Sequence, residues 1–273
     1  MAASGERIPV SARIPVLLYH AVTDDPPPWI ARFTVRPRQF LAQLDAIRDS
    51  GRTPLTATGL TEALAGRAPL PERPIVVTID DGFADLPRFT APALAERGIP
   101  ATAYLTTGAL AADPRCLLPP APMMTLDQVK EVADCGLEIG AHTVTHPQLD
   151  TLSTAEVLRE LRTPKAVLED VLGEPVPAFA YPHGYNSGAV RRLVRATGYT
   201  SATAVRDALS STRDDPFRIA RLMLKSTDTT AELAFWLEGL GAPVAPYPDR
   251  LRTIGWRAYR RSRAMLHGPS FAG

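Results

Sequence analysis

Two adjacent aspartates and two spaced histidines are the residues of this 273-residue chain that best combine type and spacing for chemistry. Asp80 and Asp81 end the apolar run Ile75-Val-Val-Thr-Ile-Asp-Asp-Gly82, and His142 and His146 follow later in the chain. One carboxylate and two imidazoles can hold a divalent metal and leave positions open for water and substrate. The other carboxylate is then free to act as a base on that water. The pattern predicts a metal-dependent hydrolase.

Each pair also has a purely structural explanation. The Asp-Asp-Gly segment could be a turn that caps the next helix, and the two histidines could be polar loop residues. A spacing of four occurs in helical zinc motifs, but Thr, Val and Thr between His142 and His146 are weak helix formers and Pro147 follows. A strand-to-loop position is therefore expected. Because both pairs occur in one chain, the metal site is favoured over the structural reading.

Two more histidines follow apolar segments. His20 ends Val16-Leu-Leu-Tyr-His20, where it is either a satisfied core histidine or a general acid suited to neutral pH. His183 lies in Tyr181-Pro-His-Gly184, which is either a structural Pro/Gly turn or a turn whose backbone N–H stabilises an oxyanion. Four of the five histidines thus fall at or just beyond expected strand ends, which favours a common site.

The elements that position these residues alternate between apolar runs and helical patterns, which is typical of an α/β protein with mostly parallel strands. The chemistry of a βα barrel collects where its strands end, at the C-terminal rim. We therefore predict a single distorted (β/α) barrel of about seven strands. The candidate strands are Ile14–Tyr19, Ile75–Ile79, Ala101–Thr106, Leu137–Ala141, Ala178–Tyr181, Thr200–Val205 and Arg218–Leu224.

The chain is expected to divide into an N-terminal tail (1–13), a catalytic domain (14–243) and a basic C-terminal tail (244–273). The net charge of +1 argues against nucleic acid as a partner. The polar start of the chain lacks the apolar core of a signal peptide, and no apolar run approaches the roughly 18 residues of a membrane span. A soluble cytoplasmic protein is the expectation. The helix that begins at Ser153-Thr-Ala-Glu156, a capping box, should be kinked or split at Pro164.

The C-terminal tail carries six arginines and no acidic residue between Arg250 and Arg263, interleaved with apolar and aromatic residues. A basic amphipathic helix of this kind could lie on an anionic membrane surface. The alternative is a solvated helix or a frayed terminus.

These motifs resemble those of the NodB-homology polysaccharide deacetylases. Thr78-Ile-Asp-Asp-Gly82 is similar to the family's Thr-Phe-Asp-Asp-Gly motif, and His142-Thr-Val-Thr-His-Pro147 is similar to its His-Thr-x-x-His-Pro motif. Val16-Leu-Leu-Tyr-His20 and Phe179-Ala-Tyr-Pro-His-Gly184 resemble motifs of the poly-N-acetylglucosamine deacetylase subgroup, in which the catalytic-acid histidine lies near the start of the domain.

The resemblance implies a role for each candidate residue. Asp80 would be the base and His20 the acid, and the backbone N–H of His183 would donate to the oxyanion. The metal ligands would be Asp81, His142 and His146. Two histidines and one carboxylate suit zinc best, although cobalt, nickel or manganese could occupy a similar site. The implied reaction is hydrolysis of N-acetyl groups on an amino-sugar glycan.

The chain also departs from the family pattern. Ile79 replaces the usual Phe, and Ala180 stands where many members place an arginine that contacts the base. No segment matches the tryptophan-rich fourth motif, so no partner for His20 is assigned. O-deacetylation by the same site and a metal- or carbohydrate-binding domain without activity stay open as alternatives. A glycosidase is disfavoured, because adjacent aspartates rarely reach the carboxylate separation of about 5 Å or more that it needs.

Overall fold

Seven parallel strands close into a barrel in the computed structural model, which describes residues 12–248, 251–268 and 270–271. The strands follow one another around the barrel in chain order, and the last pairs with the first. They are β2 Val16–Tyr19, β4 Pro74–Asp81, β5 Thr102–Leu105, β6 Glu138–Ala141, β7 Ala178–Ala180, β8 Ser201–Val205 and β10 Ile219–Met223. The predicted (β/α) barrel and its strand number are confirmed.

Three short strands lie outside this ring: β1 Arg13–Ile14, β3 Thr53–Leu55 and β9 Ser210–Ser211. The first expected strand is divided at Pro15, and β1 turns away to pair antiparallel with β9. Proline has no N–H to donate to a ladder, so a strand readily breaks there.

The helices of the described residues cover the outside and one end of the barrel. They are α1 Pro37–Asp49, α2 Ala57–Leu64, α3 Ala91–Glu96, α4 Thr107–Leu110, α5 Val129–Asp134, α6 Thr154–Leu172, α7 Gly188–Ala196, α8 Thr230–Leu237 and α9 Leu251–His267. The capping box at Ser153 and Glu156 begins α6 as predicted. The prediction was a kink or a split at Pro164, and the split is wrong. Helix α6 continues through Pro164, with buried leucines, Leu161 and Leu168, on either side.

The barrel interior changes from apolar to charged along its axis. Alternate residues of a strand face the same side, so Val76, Thr78 and Asp80 of β4 point inward together. At the N-terminal end, Val76 belongs to an apolar cluster that Leu60 of α2 joins. The same alternation on β10 gives Ile219 in that cluster and then Arg221, which is fully buried. The interior therefore has an apolar floor and a polar rim.

Strand register brings the candidate residues to this rim. Tyr19 of β2 lies opposite Ile79 of β4, so His20 and Asp80 follow side by side. Leu105 of β5 lies opposite Ala141 of β6, and the N–H of His142 donates to the Leu105 carbonyl at 2.9 Å. Parallel pairing thus gathers residues that are distant in sequence.

Helix α9 packs against the loops that leave the rim. Arg260 is buried and binds Asp150 in the segment after His146, and Trp256 Nε1 donates to the Tyr185 hydroxyl at 3.0 Å. Within the described residues, no helix combines the length and the apolar character that crossing a bilayer requires. The division of the chain at residues 13 and 243 stays a prediction.

Candidate active site

Asp80 is held inside the barrel by a buried arginine. Arg221 Nη1 and Nη2 donate to the two carboxylate oxygens of Asp80 at 2.7 and 2.8 Å, and Nη1 also donates to Thr78 Oγ1 at 3.1 Å. Burial alone would raise the pKa of Asp80, but the Arg221 guanidinium, with His142, outweighs it and holds the pKa below its usual value. Asp80 is therefore ionised at neutral pH.

Asp81 turns to the same cavity through a left-handed backbone conformation. Its φ is 76°, which is uncommon for a residue with a side chain, and Gly82 continues the turn at φ 91°. Of six non-glycine residues with positive φ in the described chain, four lie at this site: Asp81, Thr143, His146 and His183. Such clustering of strained backbone is typical of functional sites.

The two predicted histidine ligands converge on Asp81. His146 Nε2 lies 3.4 Å and His142 Nε2 lies 3.6 Å from Asp81 Oδ1, and one ligand atom from each residue falls within 4.8 Å of the others. His142 Nδ1 is 2.8 Å from the Ala180 carbonyl. That contact requires a proton on Nδ1 and leaves the Nε2 lone pair directed at Asp81.

The segment between the histidines is a loop, as predicted, and Glu160 of α6 holds it. The Glu160 carboxylate accepts hydrogen bonds from the backbone N–H groups of Val144 and Thr145 and from the Thr145 hydroxyl, each at 2.9 Å. Thr143 Oγ1 accepts from the N–H of His146 at 3.0 Å. These bonds fix the positive-φ residues between the two imidazoles, so the ligand geometry is set by α6 as well as by β6.

The burial and the pKa shifts of the three predicted ligands, Asp81, His142 and His146, suit the binding of a divalent cation. All three are buried, and Asp81 Oδ1 makes no hydrogen bond within the described residues. Burial, with the neighbouring Asp80 charge, raises the pKa of Asp81 well above its usual value. Burial, with the nearby His183, lowers the pKa of His146 well below its usual value. A bound cation would be the positive partner that the ionised Asp81 carboxylate otherwise lacks. It would also accept the lone pairs of the two neutral imidazoles.

His20 faces the same cavity from the end of β2. Burial lowers its pKa to about 4, although the Asp80 charge acts in the opposite direction. Its Nδ1 is buried and makes no hydrogen bond within the described residues, and its ring lies 5.8 Å from the ring of Phe33. The sequence motifs assign no residue to orient His20, and the described part of the chain supplies no hydrogen-bond partner for its Nδ1 either.

His183 lies in a tight turn after β7 with φ 56°. Gly184 and Tyr185 donate their N–H groups to the carbonyls of Tyr181 and Pro182, whereas the His183 N–H has no acceptor among the described residues. Gly184 is required here, because a Cβ at that position would lie 2.4 Å from the backbone nitrogen of Val205. The turn thus presents one unused backbone donor beside the metal ligands.

These groups line a cavity of about 330 Å³ that also has an aromatic wall. Phe271 lies with its ring centroid 5.3 Å from His183 and 5.9 Å from His146, and Trp29 lies 5.2 Å from Phe271. Small-molecule pockets are mostly apolar with a few converging polar groups, and this cavity has both features.

Sequence reasoning missed Arg221, Glu160 and Phe271. Arg221 could have been found, because it is a charged residue inside the apolar run Ile219-Ala-Arg-Leu-Met223. It provides from β10 the arginine contact to Asp80, the predicted base, that Ala180 cannot make. Glu160 and Phe271 gave no comparable signal, since one is an ordinary helix glutamate and the other lies near the end of the basic C-terminal tail.

Comparisons with known proteins agree with this geometry. Residues 67–202, which carry Asp80, Asp81, His142 and His146, match the model of the polysaccharide deacetylase family. The YxkH protein of Bacillus subtilis (strain 168), provisionally named a polysaccharide deacetylase, is 20% identical over 229 residues, which cover 84% of this chain and 77% of that protein.

Two solved structures share the architecture. The Streptococcus pyogenes deacetylase PplD, solved with acetate, is 24% identical with a TM-score of 0.74, and the match covers 85% of this chain and 100% of that one. A Bacillus anthracis protein, provisionally named a polysaccharide deacetylase, is 26% identical with a TM-score of 0.70, covering 82% of this chain and 68% of that one. At 24% identity, the likeness to the Streptococcus pyogenes protein shows a shared fold and nothing about the reaction of this chain.

Proposed function

Because the chain belongs to the polysaccharide deacetylase family, we propose that it removes N-acetyl groups from an amino-sugar glycan in a metal-dependent reaction. The family match makes the protein a hydrolase, and in this proposal the bond that it breaks is a carbon–nitrogen bond other than a peptide bond. The observation that carries the proposal is the buried convergence of Asp81, His142 and His146 beside Asp80.

Asp81, His142 and His146 would hold the cation, with zinc the best match to two imidazoles and one carboxylate, and cobalt, nickel or manganese as substitutes. When bound, such a cation polarises the acetyl carbonyl and lowers the pKa of water. Compact, buried ligands of this kind also exclude bulk water from the reacting carbonyl.

Asp80 removes a proton from the attacking water. Its two oxygens are already fixed by Arg221, so the base is oriented before substrate binds. The same ion pair keeps Asp80 ionised, which a base requires at the start of the reaction.

His20 passes a proton to the departing amine, because an amine anion is too poor a leaving group to depart unaided. Burial lowers the pKa of His20 to about 4, so it is neutral at rest, and the proton that it delivers is the one that the attacking water gave up to Asp80. His20 stands on the strand next to that of Asp80, so the base and the acid approach the carbonyl from adjacent positions. The unused N–H of His183 donates to the oxygen of the acetyl group as negative charge develops there.

Acetate release from N-acetylglucosamine oligomers tests this function. Asp80→Asn should lower turnover by at least about 100-fold, because it removes the base. Asp214→Asn is the control, since Asp214 is a buried carboxylate that binds Ser210 and Ala220 away from the site. Near-normal turnover of Asp80→Asn would contradict the assignment, as would the absence of acetate release from every acetylated glycan offered.

An O-acetyl esterase is the rival with the same site, and His20 distinguishes the two. Without protonation, an alkoxide leaves far more readily than an amine anion, so His20→Gln should impair amide hydrolysis far more than ester hydrolysis. Wild-type protein that releases acetate only from O-acetylated sugars would favour the rival.

Contact of α9 with an anionic membrane is a separate proposal, and fewer arginines support it in the structure than in the sequence. Arg257, Arg260 and Arg261 of this helix bind Asn186 and Asp150, so their charges are directed at the barrel. The outward side chains Met265 and Leu266 are each 78% exposed. Flotation with anionic liposomes should weaken on replacing both with serine; unchanged flotation would remove the proposal.

A further inference from the structure

The metal cavity continues at His183 and Val205 into a larger groove of about 730 Å³, which we call the arginine groove. Helix α9 forms one wall with Trp256, and the segment after β8 forms another with Arg206 and, from further along the chain, Tyr247. Ligand pockets range from about 300 to 1,000 Å³, so the metal cavity has room for little more than one sugar unit. A longer substrate would extend into the arginine groove.

The lining of the arginine groove is rich in positive charge. One carboxylate, Asp207, and four arginines line the groove; the arginines are Arg206, Arg218, Arg257 and Arg260. Asp150, behind the wall, binds both nitrogens of the Arg260 fork at 2.8 and 2.9 Å and also lies 3.5 Å from Arg257. Asp150 therefore offsets part of the charge of Arg257 and Arg260, and an anion site in the groove would depend on Arg206.

Arg206 is the groove cation with the best-defined position. Its guanidinium lies 4.1 Å from the centroid of the Tyr247 ring, and its Nη2 donates to the Tyr247 carbonyl at 2.7 Å. The Tyr247 hydroxyl donates back to the Arg206 carbonyl at 2.8 Å. No carboxylate of the described residues forms an ion pair with Arg206. The side chain is therefore fixed in advance. The Asp214 carboxylate is close enough to interact with its charge but forms no ion pair with it, so the guanidinium is still favourable for binding an anion.

We propose that the arginine groove binds a negatively charged group, a carboxylate or a phosphate, on the saccharide unit that neighbours the acetylated sugar. Arg206 contacts this group, because a guanidinium offers forked donors that match both anions. A neutral glycan presents hydroxyl and amide groups, which need no positive charge. The inference rests on the proposed function and specifies its substrate class.

Three probes of equal length test the proposal with the full chain. They are a neutral N-acetylglucosamine oligomer, an oligomer in which alternate units carry a carboxylate, and an oligomer that carries a 6-phosphate. At low salt, the KM for one or both anionic probes should be about tenfold lower than for the neutral one, and high salt should reduce this difference. Equal KM values for all three would overturn the proposal.

Arg206→Gln should raise the KM for the preferred anionic probe about tenfold and leave the KM for the neutral probe unchanged. Arg195→Gln is the matched control, because Arg195 stacks similarly on Phe217, at 4.4 Å, but does not line the groove. Arg206→Lys keeps the charge and should retain part of the preference, which also serves if the glutamine variant fails to fold. Equal KM changes for neutral and anionic probes, or equal effects of the Arg206 and Arg195 variants, would contradict the assignment.

Calorimetry with the matching oligomers that carry a hydroxyl group in place of each acetamido group, and therefore cannot be deacetylated, separates this inference from the proposed function. The anionic oligomer should bind wild-type protein about tenfold more tightly than Arg206→Gln, whether or not any probe is hydrolysed. Equal affinities would refute the groove assignment even if deacetylation is observed. Absence of acetate release together with this tenfold difference would refute only the proposed function.

Discussion

The metal centre takes its residues from neighbouring strand ends of the barrel, whereas the arginine groove takes its residues from α9 and from segments after β8. Asp80 and Asp81 end β4 and His142 directly follows β6, and the register of both strands is fixed by backbone pairing. Arg260, in contrast, reaches Asp150 across 110 positions of sequence. The proposed catalytic residues thus lie on the strands of the barrel. The groove proposed to select the substrate depends on α9, which packs against that barrel.

Replacing Arg221 is the most severe way to disturb the rigid part. Arg221→Met leaves Asp80 charged and buried without a partner, which costs about 3–5 kcal/mol. Urea unfolding should show this loss, and turnover should fall with it because the base is no longer held. Arg48→Met, at an exposed ion pair, is the control. A loss below about 1 kcal/mol would mean that the buried pair does not stabilise the ring.

Acidification should destabilise the metal-free protein through its buried histidines. Burial lowers the pKa of His20 to about 4, so below about pH 6.5 the unfolded state binds a proton that the folded state does not. Stability from this histidine is present above pH 6.5 and is lost as the pH falls toward 4, by about 3 kcal/mol.

His20→Gln should therefore make the loss of unfolding free energy between pH 7 and 5 smaller than in the wild type. Urea titrations in the presence of a chelator measure it, with His267→Gln, which is exposed, as the control. An unchanged pH dependence would show that His20 is not buried in its neutral form.

Glu160→Gln tests how far α6 sets the ligand geometry. The variant keeps the volume but loses the charge that accepts from Val144 and Thr145, which should cost about 1.5–3 kcal/mol and weaken metal affinity by about 10–100-fold. Glu169→Gln, which loses similar bonds to Val176 and Lys165 elsewhere, should leave metal affinity unchanged. Equal metal affinity in both variants would limit Glu160 to a role in folding.

The smallest effect is expected for Phe271, which lies beyond α9 and outside the strands of the barrel. Phe271→Ala enlarges the cavity beside His183, so it should change the KM for short acetylated oligomers a few-fold and alter the unfolding free energy by no more than about 0.5 kcal/mol. Phe235→Ala, at a side chain 57% exposed, is the control. A large loss of stability would place Phe271 in the framework of the barrel instead.

The two regions also differ in how well the sequence predicts them. The strands, the barrel and the convergence of Asp81, His142 and His146 follow from apolar runs and from what stands at their ends. The pairing of Asp80 with Arg221 does not, because 141 positions separate them and the pairing depends on barrel closure.

The C-terminal helix shows the same limit more strongly. Its basic amphipathic pattern predicted α9, but the pattern alone gives the same signal for a membrane, for solvent or for a barrel surface. Its buried partner Asp150 lies in a segment that looks like an ordinary loop in the sequence. Position on the barrel is decided by such distant pairs, which local patterns do not specify.

Metal content and affinity, measured for the wild type and three variants, test the central assignment most directly. Zinc should bind at one equivalent to the wild type and to Asp80→Asn, whereas His142→Ala and Asp81→Asn should lose most of their affinity because each removes a ligand. Equal zinc affinity in His142→Ala and the wild type, or loss of zinc in Asp80→Asn alone, would contradict the division between ligands and base.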